Sequence, residues 1–419
     1  MEALKELQRQ LDQAKKATLS IQQLTDIDKQ RLLQNLSRLL LEREKEIFQA
    51  NSLDLERIAL TDPNRDRLLL NAHRIRELSA SLLVIAKLPD PTRKVLYATK
   101  TPEGLDIKKI TVPLGVVAVI YESRPNVTID VAALCIRSGN VAIMRGGSDA
   151  YHTNLCLISI IAEVLSVNNL DTSIVQLVDP ERELIKELLN ASRFIDVVIP
   201  RGSQALIEFV RLNSSIPVIE TGAGVCHTYI EKTANLEMAL NIAINAKISR
   251  PSVCNALDTL LIDQRIAVSF LNGLAASPEF SKVEIFADES AWVILNQAGY
   301  INLSHAMPDD FGREFLDFKC SVKIVQNAGE AFKHISRYSS KHSEAIVTED
   351  LNLQEKFLNE IDAAAVYINA STRFTDGSVF GLGAEIGIST QKLHARGPFA
   401  LEKLVTEKWL VRGNGQVRN

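Results

Sequence analysis

The sequence predicts an α/β protein in which a helical amino-terminal region leads into a parallel sheet wrapped by helices, with a second α/β region behind it. Three observations carry that reading. In "DKQRLLQNLSRLLLEREKEIFQAN" leucines recur at three-and-four spacing between charges, the period of an amphipathic helix. From Leu114 onward short apolar runs alternate with helical patterns, the order of a parallel sheet joined by crossover helices. A chain of 419 residues exceeds one ordinary hydrophobic core, so two or three domains are expected.

The first 90 or so residues are strongly helical. After "LPDPTRK" the stretch "VLYATKTPEGLDIKKITVP" alternates around Pro-Glu-Gly and reads as a two-stranded hairpin, placed where a subunit contact would be. Then "GVVAVIYE" is a buried strand, "TIDVAALCIRSG" a helix stopped by Gly139, and "NVAIMRGG" the next strand. The helix "NLCLISIIAEVLSV", the strand "SIVQLVD", the helix "PERELIKELLNAS", the strand "IDVVIPRG" and the helix "SQALIEFVRLN" follow. A nucleotide site is expected at the carboxyl ends of these strands. "PVIETGAGVCHTYI" opens the second region, where "NLEMALNIAINAKISR" and "DQRIAVSFLNGLA" are helical and "NALDTLLI" is either helix or strand. Alternation continues to about Tyr367, and the tail is rich in Gly, Ser and Thr yet carries Arg373, Glu385, Lys392, His394 and Arg396. A polar loop with that many hydrogen-bonding groups lines a site or a contact surface.

Composition narrows the function. Apolar residues make up 46% and charged residues 23%, which are globular values. The net charge is −4 with Lys and Arg dispersed, so no footprint for nucleic acid is present. The amino terminus lacks an apolar signal segment, and no stretch reads as a membrane span; a cytoplasmic location is expected. The five cysteines, Cys135, Cys156, Cys226, Cys254 and Cys320, are odd in number and scattered, against a disulfide framework. No C-x-x-C occurs and Cys226-His227 has no second ligand pair, so no metal is expected.

Each cysteine is then core filler or chemistry. Cys254 lies in "SRPSVCNA" behind Pro251, with Lys247 and Arg250 upstream. A nearby cation or a helix amino terminus stabilises a thiolate, so Cys254 reads as a nucleophile. Cys135 and Cys156 fall on apolar helix faces and read as packed, Cys320 starts a strand, and Cys226, after the polar turn "ETGAG", is the competitor. At the strand ends, "AIMRGGS" places Arg145, Gly147 and Ser148, and "VVIPRGSQ" places Gly202 and Ser203 directly before a helix. Bare glycine backbone and a helix amino terminus make the second a diphosphate seat, or an ordinary βα turn. "GLGAEIG" follows no apolar strand and is not a dinucleotide fingerprint.

The succession "GVVAVIYESRPN", "GNVAIMRGG", "IPRGS", "ETGAGVCH", "RPSVCNA", "FGLGAEIGISTQKLHARGP" resembles the aldehyde dehydrogenase superfamily, and within it the branch that reduces glutamyl phosphate in proline biosynthesis. The likeness runs from near the start to "EKLVTEKW". It implies that a glutamate-glycine motif precedes the nucleophile by a few tens of residues; Glu220 stands 34 residues before Cys254, which leaves Cys226 structural. It implies that Arg145 takes the place of a strand-end lysine at the adenosine ribose, that Gly202 and Ser203 meet the diphosphate, and that Glu314 holds the nicotinamide ribose. The neutral Ser148 beside Arg145 favours NADP(H) over NAD(H).

The implied reaction is acylation of Cys254 by L-glutamyl 5-phosphate, then reduction of the thioester by NADPH to L-glutamate 5-semialdehyde. Oxyanion donors would be the Cys254 N–H with Asn126, or Arg124 in its place. Candidate cations for the anionic substrate are Arg124, Lys247, Arg250, Arg373 and Arg396. Glu220, which activates water in hydrolytic relatives, would here orient groups. The resemblance further implies a homo-oligomer and functional coupling to a glutamate 5-kinase. It divides the chain into 1–220 as the cofactor domain with the helices and the hairpin near 95–113, 221–367 as the catalytic domain, and 368–419 as a segment returning to the cofactor and oligomerisation regions. The rival readings are an NAD-dependent aldehyde dehydrogenase that hydrolyses its thioester and a non-catalytic nucleotide-binding protein.

Overall fold

A computed structural model describes residues 2–59, 62 and 65–418. The chain forms two compact units, Met1–Thr221 with Gly381–Gly387 and Pro398–Asn419, and Gly222–Phe380 with Ile388–Gly397.

The first unit begins with α1 (Glu2–Gln22), α2 (Asp26–Glu42), α3 (Glu44–Leu55), α4 (Arg65–Leu68) and α5 (Ala72–Lys87). Thr25 and Asp28 cap α2 reciprocally, satisfying donors that a helix start otherwise leaves open. Its leucines 32, 33, 36 and 40 are buried, and α2 packs on α5. β1 (Val95–Lys100) and β2 (Asp106–Pro113) pair antiparallel, which is the hairpin expected from the alternation around Pro-Glu-Gly.

β3 (Val116–Tyr121), α6 (Asn126–Ser138), β4 (Val141–Arg145), α7 (Tyr151–Val167), β5 (Val175–Leu177), α8 (Arg182–Leu189), β6 (Val197–Arg201) and α9 (Gln204–Asn213) follow. The four strands form a parallel sheet in the order β5-β4-β3-β6. All six residues of β3 are buried, because a central parallel strand is covered on both faces. Gly139 ends α6 at φ +74°, a left-handed conformation that glycine adopts without a Cβ penalty. One expectation fails here. Among the described residues, the helical run Ser148–Val167 has the length and apolarity of a membrane span. Its Leu157, Ile160 and Ile161 are buried in the unit's core, which is why the segment is so apolar.

The second unit contains β7 (Cys226–Ile230), α10 (Leu236–Ile248), β8 (Leu257–Asp263), α11 (Ala267–Ala275), β9 (Glu284–Ala287), α12 (Glu289–Gln297), β10 (Leu303–His305), β11 (Lys319–Val325), α13 (Ala328–Tyr338), β12 (Ser343–Val347), α14 (Leu351–Glu360) and β13 (Ala365–Ile368). Its strands form a seven-stranded parallel sheet, β10-β9-β11-β8-β7-β12-β13. "NALDTLLI" resolves as strand: β8 lies between β7 and β11 and is buried along its length. The chain passes back through β14 (Gly387–Ser389) and β15 (Gly397–Phe399). β16 (Val405–Arg412) then pairs antiparallel with β2, completing a three-stranded sheet in the first unit. Val95, Leu96, Tyr97, Trp409 and Val411 on that sheet are exposed, and Tyr97 meets Trp409 edge to face at 6.0 Å.

Candidate active site

Cys254 sits in the loop between α10 and β8, so the helix amino terminus that one reading of "NALDTLLI" would have supplied does not exist there. The loop is held from both sides. Gly224 lies so close beneath it that a Cβ would fall 1.5 Å from the Cys254 carbonyl oxygen; only glycine permits that approach. The Cys226 thiol donates to the same carbonyl at 3.2 Å. On the other side, the Asn255 Nδ2 donates to the carbonyls of Arg373 (3.3 Å) and Thr375 (2.9 Å), and the Thr372 hydroxyl donates to the Asn255 carbonyl at 2.8 Å. Arg373 completes the clamp, its Nε donating to the Ser249 hydroxyl at 3.1 Å and its Nη1 to the Asn255 side-chain oxygen.

This arrangement brings Arg373 to the thiol and Arg250 to Arg373. Burial and then the charge of Arg250 lower the pKa of Arg373, while Cys254 acts in the opposite direction. A guanidinium interacting with a partly exposed cysteine favours its thiolate, and a second guanidinium next to the first adds to the attraction for an incoming anion. At the other cysteines burial and carboxylates outweigh any nearby cation. Burial, then Glu344 and Asp258, push the Cys226 thiol well above its ordinary value, and burial pushes Cys135 and Cys320 up to about 12. Cys156, expected to be packed, is only half-buried on α7; burial and Glu46 raise its pKa. Among the described residues no group of three or more His, Cys, Asp or Glu could hold a metal ion.

Two of the expected anion contacts are engaged by carboxylates of the chain itself. Lys247 is wholly buried, its Nζ 3.7 Å from Asp258 Oδ1 and donating to the Asp317 carbonyl at 3.1 Å. A charge sealed in this way braces the interior and is not presented to a ligand. Asp258 also accepts the Phe315 N–H at 3.1 Å, and burial raises it to about 7 against the pull of Lys247. Arg396 pairs with Asp362 at 2.8 Å, beside Lys392, also at 2.8 Å. Bonds from Lys392 and then Arg396 hold that carboxyl at about 2. Glu314 accepts the Gly224 N–H at 2.8 Å, which ties it to the backbone under Cys254.

In the first unit the predicted cofactor residues gather at the ends of β3, β4 and β6. Arg145 donates to the Pro180 carbonyl, and its charge is felt by Asp179, Glu122 and Asp149. Gly146 and Gly147 follow it; a Cβ on Gly147 would stand 2.3 Å from Asp149 Oδ1. Ser148 is exposed, its carbonyl accepting from Arg57 at 3.1 Å. Ser203 is the N-cap of α9, its hydroxyl accepting the Leu206 N–H at 3.3 Å. Arg124 lies in the β3–α6 turn, where Ser123 takes φ +39° and donates to Asp149. Asn126 opens α6 and its amide donates along the helix to Asp130 at 3.3 Å; burial raises Asp130 to about 6 against Arg201 and Asn126. Glu220 Oε1 is 3.9 Å from Arg211 Nε. Three residues of the sites escaped the sequence reading: Gly224, Asn255 and Glu122, whose carboxylate accepts from Ser203. Gly224 and Asn255 stood inside quoted motifs, but their partners are distant in sequence.

The aldehyde dehydrogenase family model matches residues 2–293. The chain is 53% identical to a gamma-glutamyl phosphate reductase of Legionella pneumophila strain Paris and 50% identical to one of Pelodictyon phaeoclathratiforme, each over 348 residues and 83% of both chains. The crystal structure of gamma-glutamyl phosphate reductase from Thermotoga maritima superposes with a TM-score of 0.92 at 40% identity, over 99% of this chain and 100% of that one.

Proposed function

This chain belongs to the aldehyde dehydrogenase family, and from that premise we propose that it reduces L-glutamyl 5-phosphate to L-glutamate 5-semialdehyde and phosphate with NADPH, in proline biosynthesis. Its similarity to three named gamma-glutamyl phosphate reductases supports the substrate. The observation that carries the chemistry is Cys254, fixed over Gly224 and faced by Arg373, which has Arg250 beside it.

The thiolate of Cys254 attacks the acyl carbon, the carbon–oxygen bond to phosphate breaks, and phosphate leaves with that electron pair, giving a thioester. Arg373 and Arg250 offset the charge of the departing phosphate. The Cys254 N–H is the first donor for each oxyanion. When bound, NADPH supplies the hydride that reduces the thioester. Expulsion of the Cys254 thiolate then releases the aldehyde. The α9 amino terminus is suited to the cofactor diphosphate, because the Ser203 N–H and hydroxyl already hold a carboxylate there. The uncharged Ser148 next to Arg145 suits a 2′-phosphate. Glu220 serves orientation, since a reductase gains nothing by hydrolysing its thioester. We assign the exposed β1-β2-β16 sheet to contact between copies of the chain.

The deciding assay follows reduced cofactor formed from L-glutamate 5-semialdehyde. Formation that requires phosphate, prefers NADP over NAD and falls at least about a thousand-fold in Cys254→Ser is the expected result. Cofactor reduction that needs no phosphate would instead identify a hydrolytic aldehyde dehydrogenase.

A further inference from the structure

At the start of α9 the chain binds one of its own carboxylates. Glu122 Oε2 accepts the Ser203 N–H at 2.7 Å, and Oε1 accepts the Ser203 hydroxyl at 3.1 Å. The parallel pairing of β3 with β6 delivers it there: Tyr121 lies opposite Arg201, and the Glu122 N–H donates to the Arg201 carbonyl at 3.2 Å. The first residue after β6 is Gly202, where a Cβ would stand only 2.4 Å from Glu122 Oε2. The carboxylate therefore rests against bare backbone, held by a helix-terminal N–H and the N-cap hydroxyl.

Bare glycine, an N–H outside the helix's own ladder and a hydroxyl at a helix start are the features that suit this place to a diphosphate. One N–H cannot serve two anions, and their charges repel at such separation. We propose that Glu122 is an internal competitor for the cofactor diphosphate, which must release the Ser203 N–H before the cofactor seats, so that Glu122 sets cofactor affinity. The proposal rests on the reading of Gly202 and Ser203 as the diphosphate seat. A released carboxylate has a partner at hand in Arg145, with which it already interacts from the end of β4. The apparent dissociation constant is then the intrinsic one divided by the fraction of molecules whose seat is open. Tight product binding would slow turnover, and an anion that re-enters the seat opposes it.

The test titrates NADPH, ADP and adenosine against the full chain, as wild type, Glu122→Gln and Glu122→Ala. Glu122→Gln keeps the shape of the side chain, so the measurement survives even where the alanine variant loses stability. NADPH and ADP are expected to bind about ten-fold more tightly to both variants, with adenosine unchanged. NADPH affinity that is unaltered or weaker overturns the competition and leaves Glu122 a helix cap or a ribose contact. Failure of ADP to displace NADPH from the wild type overturns the seat itself, and the competition with it.

Discussion

The loop that carries Cys254 and the strand start that carries Cys226 meet at one hydrogen bond and both feel Arg373, yet burial and carboxylates dominate at only one of the two sulfurs. Cys226 is sealed inside β7 and feels Glu344 and Asp258; Cys254 lies in a polar loop and interacts with Arg373, itself next to Arg250. Burial alone would raise either thiol, and carboxylates raise it further, whereas guanidinium groups lower it. Reactivity in this unit is set by which charges the segment 371–376 and the loop 249–256 bring together. Two cysteines within reach of each other can therefore be a nucleophile and an inert packing group.

The sharpest way to break this contrast is Gly224→Ala. The added methyl would overlap the Cys254 carbonyl and push the loop off its clamp, so kcat/KM is expected to fall at least about a hundred-fold, with the circular dichroism of the fold retained. Wild-type activity in that variant would mean that the loop position is unimportant. Next in size is Arg373→Ala. Removing this charge is expected to lower kcat/KM for the acyl phosphate by about ten- to a hundred-fold. It should also move the pH profile of Cys254 alkylation by iodoacetamide upward, since a lost cation disfavours the thiolate. An unshifted profile would remove Arg373 from the account of the thiol. The smallest effect belongs to Cys226→Ala, expected to leave Cys254 alkylation and turnover within about two-fold and to cost about 1 kcal/mol in urea unfolding. Because burial and then Glu344 push the Cys226 thiol well above its ordinary value, it stays protonated at neutral pH and the wild-type profile there reports one sulfur. Loss of activity on the scale of Cys254→Ser would reverse the two assignments.

What the amino-acid order discloses depends on where each residue's partner lies. β3, β4 and β6 are legible because strands covered on both faces read as unbroken apolar runs. "NALDTLLI" is ambiguous because a short apolar run has no period of its own; its neighbours β7 and β11 decide it. Cys254 is legible from its polar flanks. Lys247, seven residues before it, looks equally available until β8 places Asp258 against it. Arg396 is claimed in the same way by Asp362. Glu122 becomes visible only when the pairing of β3 with β6 brings it to Ser203. Nothing local in any of these three cases names the partner.

The place of β16 in the first sheet governs how this chain can mature on a ribosome. The inserted unit needs no residue beyond Gly397, whereas the unit that starts first also needs β16, which ends at Arg412. Until then the hairpin leaves one side of β2 unpaired, and Tyr97 lacks its edge-to-face partner Trp409. A nascent polypeptide in that interval offers an open edge to other chains, so the domain begun first is finished last and is the one a chaperone would have to guard.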